Sequence, residues 1–389
     1  MKKSPGDRCR AGSRMTGERS RIIDSREIKI ADQRDLAIPS REQDGHPREP
    51  SNPLIHIPLY RAPDTSDHDL QYLIELLLVC LHSYFAHENT YDLLVTTNDE
   101  RPLEVLSAFK EKSGQRFELR LVNPDDLRST FRTDSSRLMD NPCVKTIFSK
   151  FYPILKRECD AIVHVDFDTL FMSKIDLRPL LVSDIGLVDA NQFGRAEFWC
   201  PTSAQANFFR LEQPVEPVSS WVNSGVFSVQ RGGFEFCRTE IAHYLENLER
   251  AIADGFNAYP DELIMNVLAV RRRDAVTVIR DYRYNFLAYY LKHDSSWISR
   301  GKIVHFHSFK PYMYWYSDGA VEPRCSATEA ELLSEELYLA VLMWCRHLHA
   351  ACLGLSDDFP MLSAMPLEVV EKELTRVIRE RDARVHEVG

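Results

Sequence analysis

Two aspartates one residue apart, Asp166-Phe167-Asp168, follow directly on the apolar run Ala161-Ile162-Val163-His164-Val165. A short run of that composition reads as a central strand buried on both faces. Carboxylates released together at the end of a strand can offer oxygens to one hard divalent cation, leaving coordination positions for diphosphate oxygens and water. An Asp-x-Asp pair also arises as a solvated turn. Here the apolar Leu170-Phe171-Met172 follows at once, so both charges sit inside a buried path, where carboxylates without partners would be costly.

A strand of this kind needs a sheet around it. Ahead of it, residues 54–60, 93–97 and 117–122 read as strands, although Pro58 weakens the first, and residues 69–87, 102–112 and 144–157 read as helices. The alternation predicts a largely parallel α/β sheet, in which ligands bind beyond the carboxyl ends of the strands. Farther on, 185–188 and 225–229 read as strands, 234–253 as a long helix, 262–270 as a short one, and 303–306 as a last apolar burst ending in histidines. Past Tyr316, Ser326 and Glu329 form a capping-box pattern, Leu333, Leu337, Val341, Trp344 and Leu348 recur at helical spacing, and a more charged helix runs over 366–385. Residues 1–50 alternate opposite charges, hold few large apolar side chains and show no period, which predicts disorder. The expected organisation is a disordered arm over 1–50, an α/β domain over 51–316 and a C-terminal helical extension over 317–389 through which copies of the chain could oligomerise.

With 389 residues, 44% of them hydrophobic, the chain can bury one large core, alone or with a small module. The formal net charge of -10 excludes an ordinary nucleic-acid binder, so an anionic ligand has to be held by local chemistry such as a metal ion. Nine cysteines are scattered without paired spacing, as in a reducing compartment. The N-terminus lacks a secretory apolar stretch, and the longest apolar run, residues 72–85, contains Glu75 and His82 and is too short to cross a bilayer. A cytoplasmic protein without a transmembrane segment is expected.

The stretch 150–171 resembles the donor-site segment of glycosyltransferase family 8, retaining transferases of the glycogenin type. The resemblance implies the GT-A nucleotide-diphospho-sugar transferase fold, a UDP-sugar donor, and Mn2+ or Mg2+ at Asp166 and Asp168. It also implies a donor contact from Lys150, sixteen residues ahead of Asp166; otherwise Lys150 is a surface lysine at a helix end, with Lys145 and Lys156 nearby. The segment 221–229 is similar to the family's Asn-Ser-Gly-Val strand lining the sugar pocket, which makes Asn223, Ser224 and Gly225 donor-binding candidates; glycine would let the backbone approach a ligand closely.

Residues 261–266 resemble the family's Asp-Gln-x-x-x-Asn helix start and make Asp261 and Glu262 catalytic candidates, with Glu262 standing where the family has Gln. On residue chemistry alone Asp261 is an N-cap and Glu262 a first-turn acid that complements the helix dipole. A glutamate beside the sugar could act as nucleophile or base, whereas an amide could only position groups.

Residues 305–312 are similar to the closing His-x-x-Gly-x-x-Lys-Pro-Trp, implying that a histidine completes the metal site and that Lys310 grips the diphosphate. Here the spacing is one residue shorter, the glycine is missing and Tyr312 replaces Trp, so His305 and His307 both remain candidates. His305 is preferred because it directly follows Ile303-Val304, and imidazole suits manganese.

The implied activity is metal-dependent transfer of a sugar, with retention, from a nucleotide sugar to a glycan, lipid or protein acceptor that the sequence does not name. The altered histidine motif keeps open a catalytically inactive GT-A protein used for binding. A haloacid-dehalogenase-like phosphatase also uses a strand-terminal Asp-x-Asp, but it wants Thr or Val where Leu170 stands and has fewer strands before its motif.

Overall fold

The computed structural model describes residues 53–62, 64–122, 142–156, 159–189, 201–212, 222–256, 259–288, 301–307, 311, 314–317, 320–323, 335–355 and 359–388. In chain order the strands are β1 (Leu54–Leu59), β2 (Leu93–Thr97), β3 (Glu118–Leu121), β4 (Ala161–Val165), β5 (Thr169–Phe171), β6 (Ile185–Asp189), β7 (Val222–Gln230), β8 (Val276–Ile279), β9 (Phe286–Leu287), β10 (Ile303–His305), β11 (Tyr314–Ser317) and β12 (Ala320–Pro323). The helices are α1 (Asp67–Ala86), α2 (Glu100–Ser113), α3 (Pro142–Lys156), α4 (Ser203–Phe208), α5 (Phe234–Glu246), α6 (Leu248–Ala253), α7 (Pro260–Arg271), α8 (Glu335–Cys352), α9 (Pro360–Ala364) and α10 (Leu367–Val388).

Among the described residues the main sheet has seven strands in the order β3-β2-β1-β4-β7-β6-β8. β3, β2, β1 and β4 run parallel, as do β6 and β8, whereas β7 is antiparallel to both its neighbours. The two-residue alternation of the strands splits the core between the faces. Val163 and Val165 of β4 join Ile55 and Ile57 in the cluster that includes α1, while Ile162 joins Ile185, Phe227 and the apolar side chains of α3, α5 and α7. Every residue of β4 is buried, as a central strand requires. Proline cannot donate to a ladder, but β1 pairs with β4 only as far as His56, so Pro58 lies beyond that ladder and β1 stays intact.

Two departures from the sequence expectations have local causes. The helix expected over 234–253 divides into α5 and α6 at Asn247, whose side chain donates to the His243 carbonyl at 2.8 Å; that bond competes with the helical backbone. The strand expected at 225 begins at Val222, which places Asn223 and Ser224 on the strand itself rather than in an entry turn.

The helices beyond residue 334 share the core of α1. Leu337, Val341, Trp344 and Leu348 of α8 and Val370, Leu374 and Val377 of α10 are buried in the same cluster as Leu76, Leu77 and Leu81. Glu75, buried on α1, accepts a hydrogen bond from the Met361 backbone N–H at 2.9 Å. The expected arm over 1–50 and the Ser326/Glu329 capping box lie outside the described residues. Among the described residues, no helix is long and apolar enough to cross a membrane, and Cys80, Cys159, Cys237, Cys345 and Cys352 are free thiols.

Because Trp344 is 1% exposed in this shared core, Trp344→Ala should cost about 3–5 kcal/mol in denaturant unfolding. A loss under about 1 kcal/mol would mean that the C-terminal helices do not contribute to the main core.

Candidate active site

The reversed strand β7 creates the site. It runs inward where β4 runs out: Val165 pairs with Val226, so residues 222–225 overhang the carboxyl end of β4. The Asp166 backbone N–H then donates to the Gly225 carbonyl at 2.8 Å, joining the Asp-x-Asp turn to the Asn-Ser-Gly segment. On the other side of the turn, β5 pairs antiparallel with β10, with His305 opposite Thr169, and the Phe306 N–H donates to the Asp168 carbonyl at 3.0 Å.

These pairings bring Asp166, Asp168 and His305 together, with one ligand atom from each lying within 4.8 Å of the others. His305 Nε2 is 3.5 Å from Asp166 Oδ2 and 3.3 Å from Asp168 Oδ1. Burial pushes His305 down to about 4, so at neutral pH an uncharged ring faces the two carboxyl groups. Two hard oxygens and one imidazole nitrogen suit manganese or magnesium, so the residues present fit a divalent cation. The cluster opens at Asp166, whose side chain is 15% exposed, against 5% for Asp168 and 1% for His305.

His307 lies elsewhere. Its Nε2 is 3.8 Å from Glu262 Oε1, and its ring stands edge-on to that of His305 with centroids 5.5 Å apart. Of the two histidines, His305 is the one that approaches both aspartates.

Lys150 enters from α3. Its ammonium is 3.0 Å from Asp166 Oδ2, 2.8 Å from Asp261 Oδ2 and 3.0 Å from Ser224 Oγ. Burial works against that charge, but the two carboxylates outweigh it and hold the lysine above its ordinary value. The effect is mutual: against burial, the Lys150 ammonium holds Asp166 well below the usual carboxylate range and depresses Asp261 as well. Lys156, a sequence competitor, instead lies over the Tyr152 ring, 6.0 Å from its centroid.

Asp261 and Glu262 occupy the first turn of α7, which is locked to β7 by Asn266. That amide accepts from the Val222 N–H at 3.2 Å and donates to the Val222 carbonyl at 3.1 Å and to the Glu262 carbonyl at 2.8 Å. Asp261 is not an N-cap; the cap position is Tyr259, with Pro260 next, and the Asp261 carboxylate accepts from Ser224 Oγ at 2.6 Å. Glu262 Oε1 accepts from Asn223 Nδ2 at 2.5 Å. Burial and the neighbouring Asp261 charge push Glu262 up to about 7. Lys310 and Tyr312 lie outside the described residues.

No protein-family model matches the chain, and no curated protein does. Solved glycosyltransferases are similar to it in structure. An active-site mutant of LgtC matches at TM-score 0.47 and 16% identity, over 80% of this chain and 99% of that one. The galactosyltransferase LgtC in complex with donor and acceptor sugar analogs matches over the same shares at TM-score 0.41 and 16% identity. The apo form of mouse xyloside xylosyltransferase 1 matches at TM-score 0.43 and 16% identity, over 67% of this chain and 99% of that one. Similarity this distant does not decide a reaction, which has to be sought in the site.

Two site residues escape a reading of the sequence. His164 donates Nε2–H to Asp166 Oδ1 at 2.9 Å and stacks on Phe227 with centroids 4.7 Å apart. Its signal was available, since strand periodicity puts residues 164 and 166 on one face. Asn285 bonds both His305 and Asn223, and nothing in its sequence neighbourhood marks it.

Gly225 is required for a reason other than ligand approach. A Cβ there would stand 2.2 Å from His305 Cε1 and 2.3 Å from its Nδ1, deep inside van der Waals contact with a ring that is itself packed. Gly225→Ala should therefore displace His305 and lower manganese affinity roughly 10–100-fold by titration calorimetry, with far-UV circular dichroism unchanged. Unaltered affinity would show that His305 is not a ligand.

Proposed function

We propose that this chain is a metal-dependent glycosyltransferase of the GT-A type that transfers a sugar from a nucleotide-sugar donor, UDP-linked, with retention of configuration. The observation that carries the reading is the convergence of Asp166, Asp168 and His305 Nε2 at the carboxyl end of β4, where an α/β sheet binds ligands. The shortened histidine motif was the ground for a binding-only protein. His305 reaches the aspartates in spite of it, which favours the enzyme.

In this reading Asp166, Asp168 and His305 hold the cation, which when bound supplies positive charge to the departing nucleoside diphosphate. Lys150 adds a second fixed charge. Its two carboxylate partners and Ser224 orient the ammonium before any substrate arrives, so little reorganisation remains for the reaction. Asn223, Ser224 and Gly225 line the donor side, Asp261 orients the sugar or acceptor, and Lys310 grips the diphosphate. Glu262 holds Asn223 through Oε1, and that bond supports a positioning role over nucleophilic attack.

Asp166→Ala and Asp168→Ala should each cut manganese-dependent hydrolysis of nucleotide sugars by roughly 100-fold or more, Asp168→Ala with the fold intact and Asp166→Ala with a loss of stability as well, since it removes one carboxylate partner of the buried Lys150 ammonium. Full activity in either variant would refute the metal site. Glu262→Gln preserves shape and one acceptor oxygen, so kcat should stay within roughly tenfold of the parent. A thousandfold loss at unchanged donor affinity, about 4 kcal/mol of barrier, would make Glu262 the nucleophile or base.

A further inference from the structure

Behind the Asp166, Asp168 and His305 cluster, two buried asparagines form a hydrogen-bonded line that ends at Glu262. Asn223 is 2% exposed, Asn285 1% and His305 1%. An amide side chain can be turned either way, and an imidazole can carry its proton on either nitrogen. The polarity of this line is nevertheless fixed at one point by the backbone. The Gly225 N–H, a donor that cannot reverse, lies 2.9 Å from one terminal atom of Asn223, which must therefore be the acceptor Oδ1.

The rest follows by donor and acceptor matching. Asn223 Oδ1 also meets Asn285 at 2.9 Å, so the Asn285 atom there must be the donor Nδ2. That leaves Asn285 Oδ1 as the atom 3.0 Å from His305 Nδ1, and the ring can satisfy it only by donating Nδ1–H. At the other end, Asn223 is left to donate Nδ2–H to Glu262 Oε1 at 2.5 Å. Every member is buried, and a mismatched pair anywhere in the line would leave a polar atom unsatisfied at a cost of about 1–3 kcal/mol.

We infer that Asn285 is a positioning residue: through Asn223 and the Gly225 amide it holds His305 in the Nδ1–H tautomer, so that the Nε2 lone pair points at the space between Asp166 and Asp168 where a cation would bind. The inference deepens the metal-dependent reading of the site and rests on it for the cation, but the tautomer itself exists without metal. Glu262 shares in the device. Its oxygen accepts the last bond of the line, so a glutamine turned to present its oxygen leaves the line unbroken, whereas a side chain without an acceptor strands the Asn223 amide.

The tautomer can be read directly. In the metal-free full-length protein, long-range 1H–15N correlation spectra of the histidine rings, with His305 assigned through His305→Gln, should show a protonated Nδ1 and a bare Nε2. Asn285→Leu should abolish that preference and weaken manganese binding, followed by electron paramagnetic resonance, roughly 10–100-fold. A parent ring protonated on Nε2 overturns the inference, as does an Asn285→Leu variant with the parent tautomer and affinity. If Asn285→Leu does not fold, the parent spectrum decides. If the parent shows the Nδ1–H form and binds no manganese, the metal-dependent reading of the site fails while the tautomer assignment holds, so the two failures are told apart.

Discussion

The site depends on a single ammonium placed between two carboxylates. Asp166 and Asp261 come from different elements, a strand end and a helix start, and both are largely buried. Two such anions repel each other and lose hydration on burial, and neither cost is met by packing. Lys150 meets both by standing within 3.0 Å of each, with Ser224 bridging to it from β7. Removing one partner of such a set is far more damaging than replacing the whole set, because an uncompensated charge stays behind. Lys150, which the sequence offered as a donor contact, is in the structure the counter-charge that lets Asp166 remain ionised at the edge of the core.

Chain topology supplies what electrostatics alone cannot. A wholly parallel sheet would carry residues 222–225 to the opposite end of β4 from Asp166. Reversing β7 sets the Asn-Ser-Gly segment against the Asp-x-Asp turn, and the antiparallel β5 and β10 pair sets His305 on its other side. Asn266 then fixes α7 to the start of β7 through both backbone groups of Val222, which presents Asp261 and Glu262 to the same space. Gly225 completes the arrangement by leaving room for the His305 ring.

Much of this was legible in the residues. The apolar run at 161–165, the alternation of strands and helices before it, and the helical spacing of Leu337, Val341, Trp344 and Leu348 all express local periodicity, which sequence reports well. The aspartates were legible because charge interrupting a buried path is rare. Asn285 was not: its partners are 62 residues back at Asn223 and 20 residues on at His305, and a lone asparagine near a strand is equally a turn residue. The break at Asn247 was hidden for the same kind of reason, since only the side-chain bond to His243 shows that the helix ends there. What separates His305 from His307 is where β10 ends: the strand stops at His305, opposite Thr169, and a two-residue spacing in the sequence does not show that end.

The central claim, that Asp166, Asp168 and His305 hold one divalent cation, is tested most directly by anomalous scattering from a crystal grown with manganese. The account predicts a single strong peak within about 2.5 Å of both carboxylates and of His305 Nε2, with His305 Nδ1 still bonded to Asn285. A peak on His307, or a protein that excludes manganese from this cluster at saturating concentration, would contradict it.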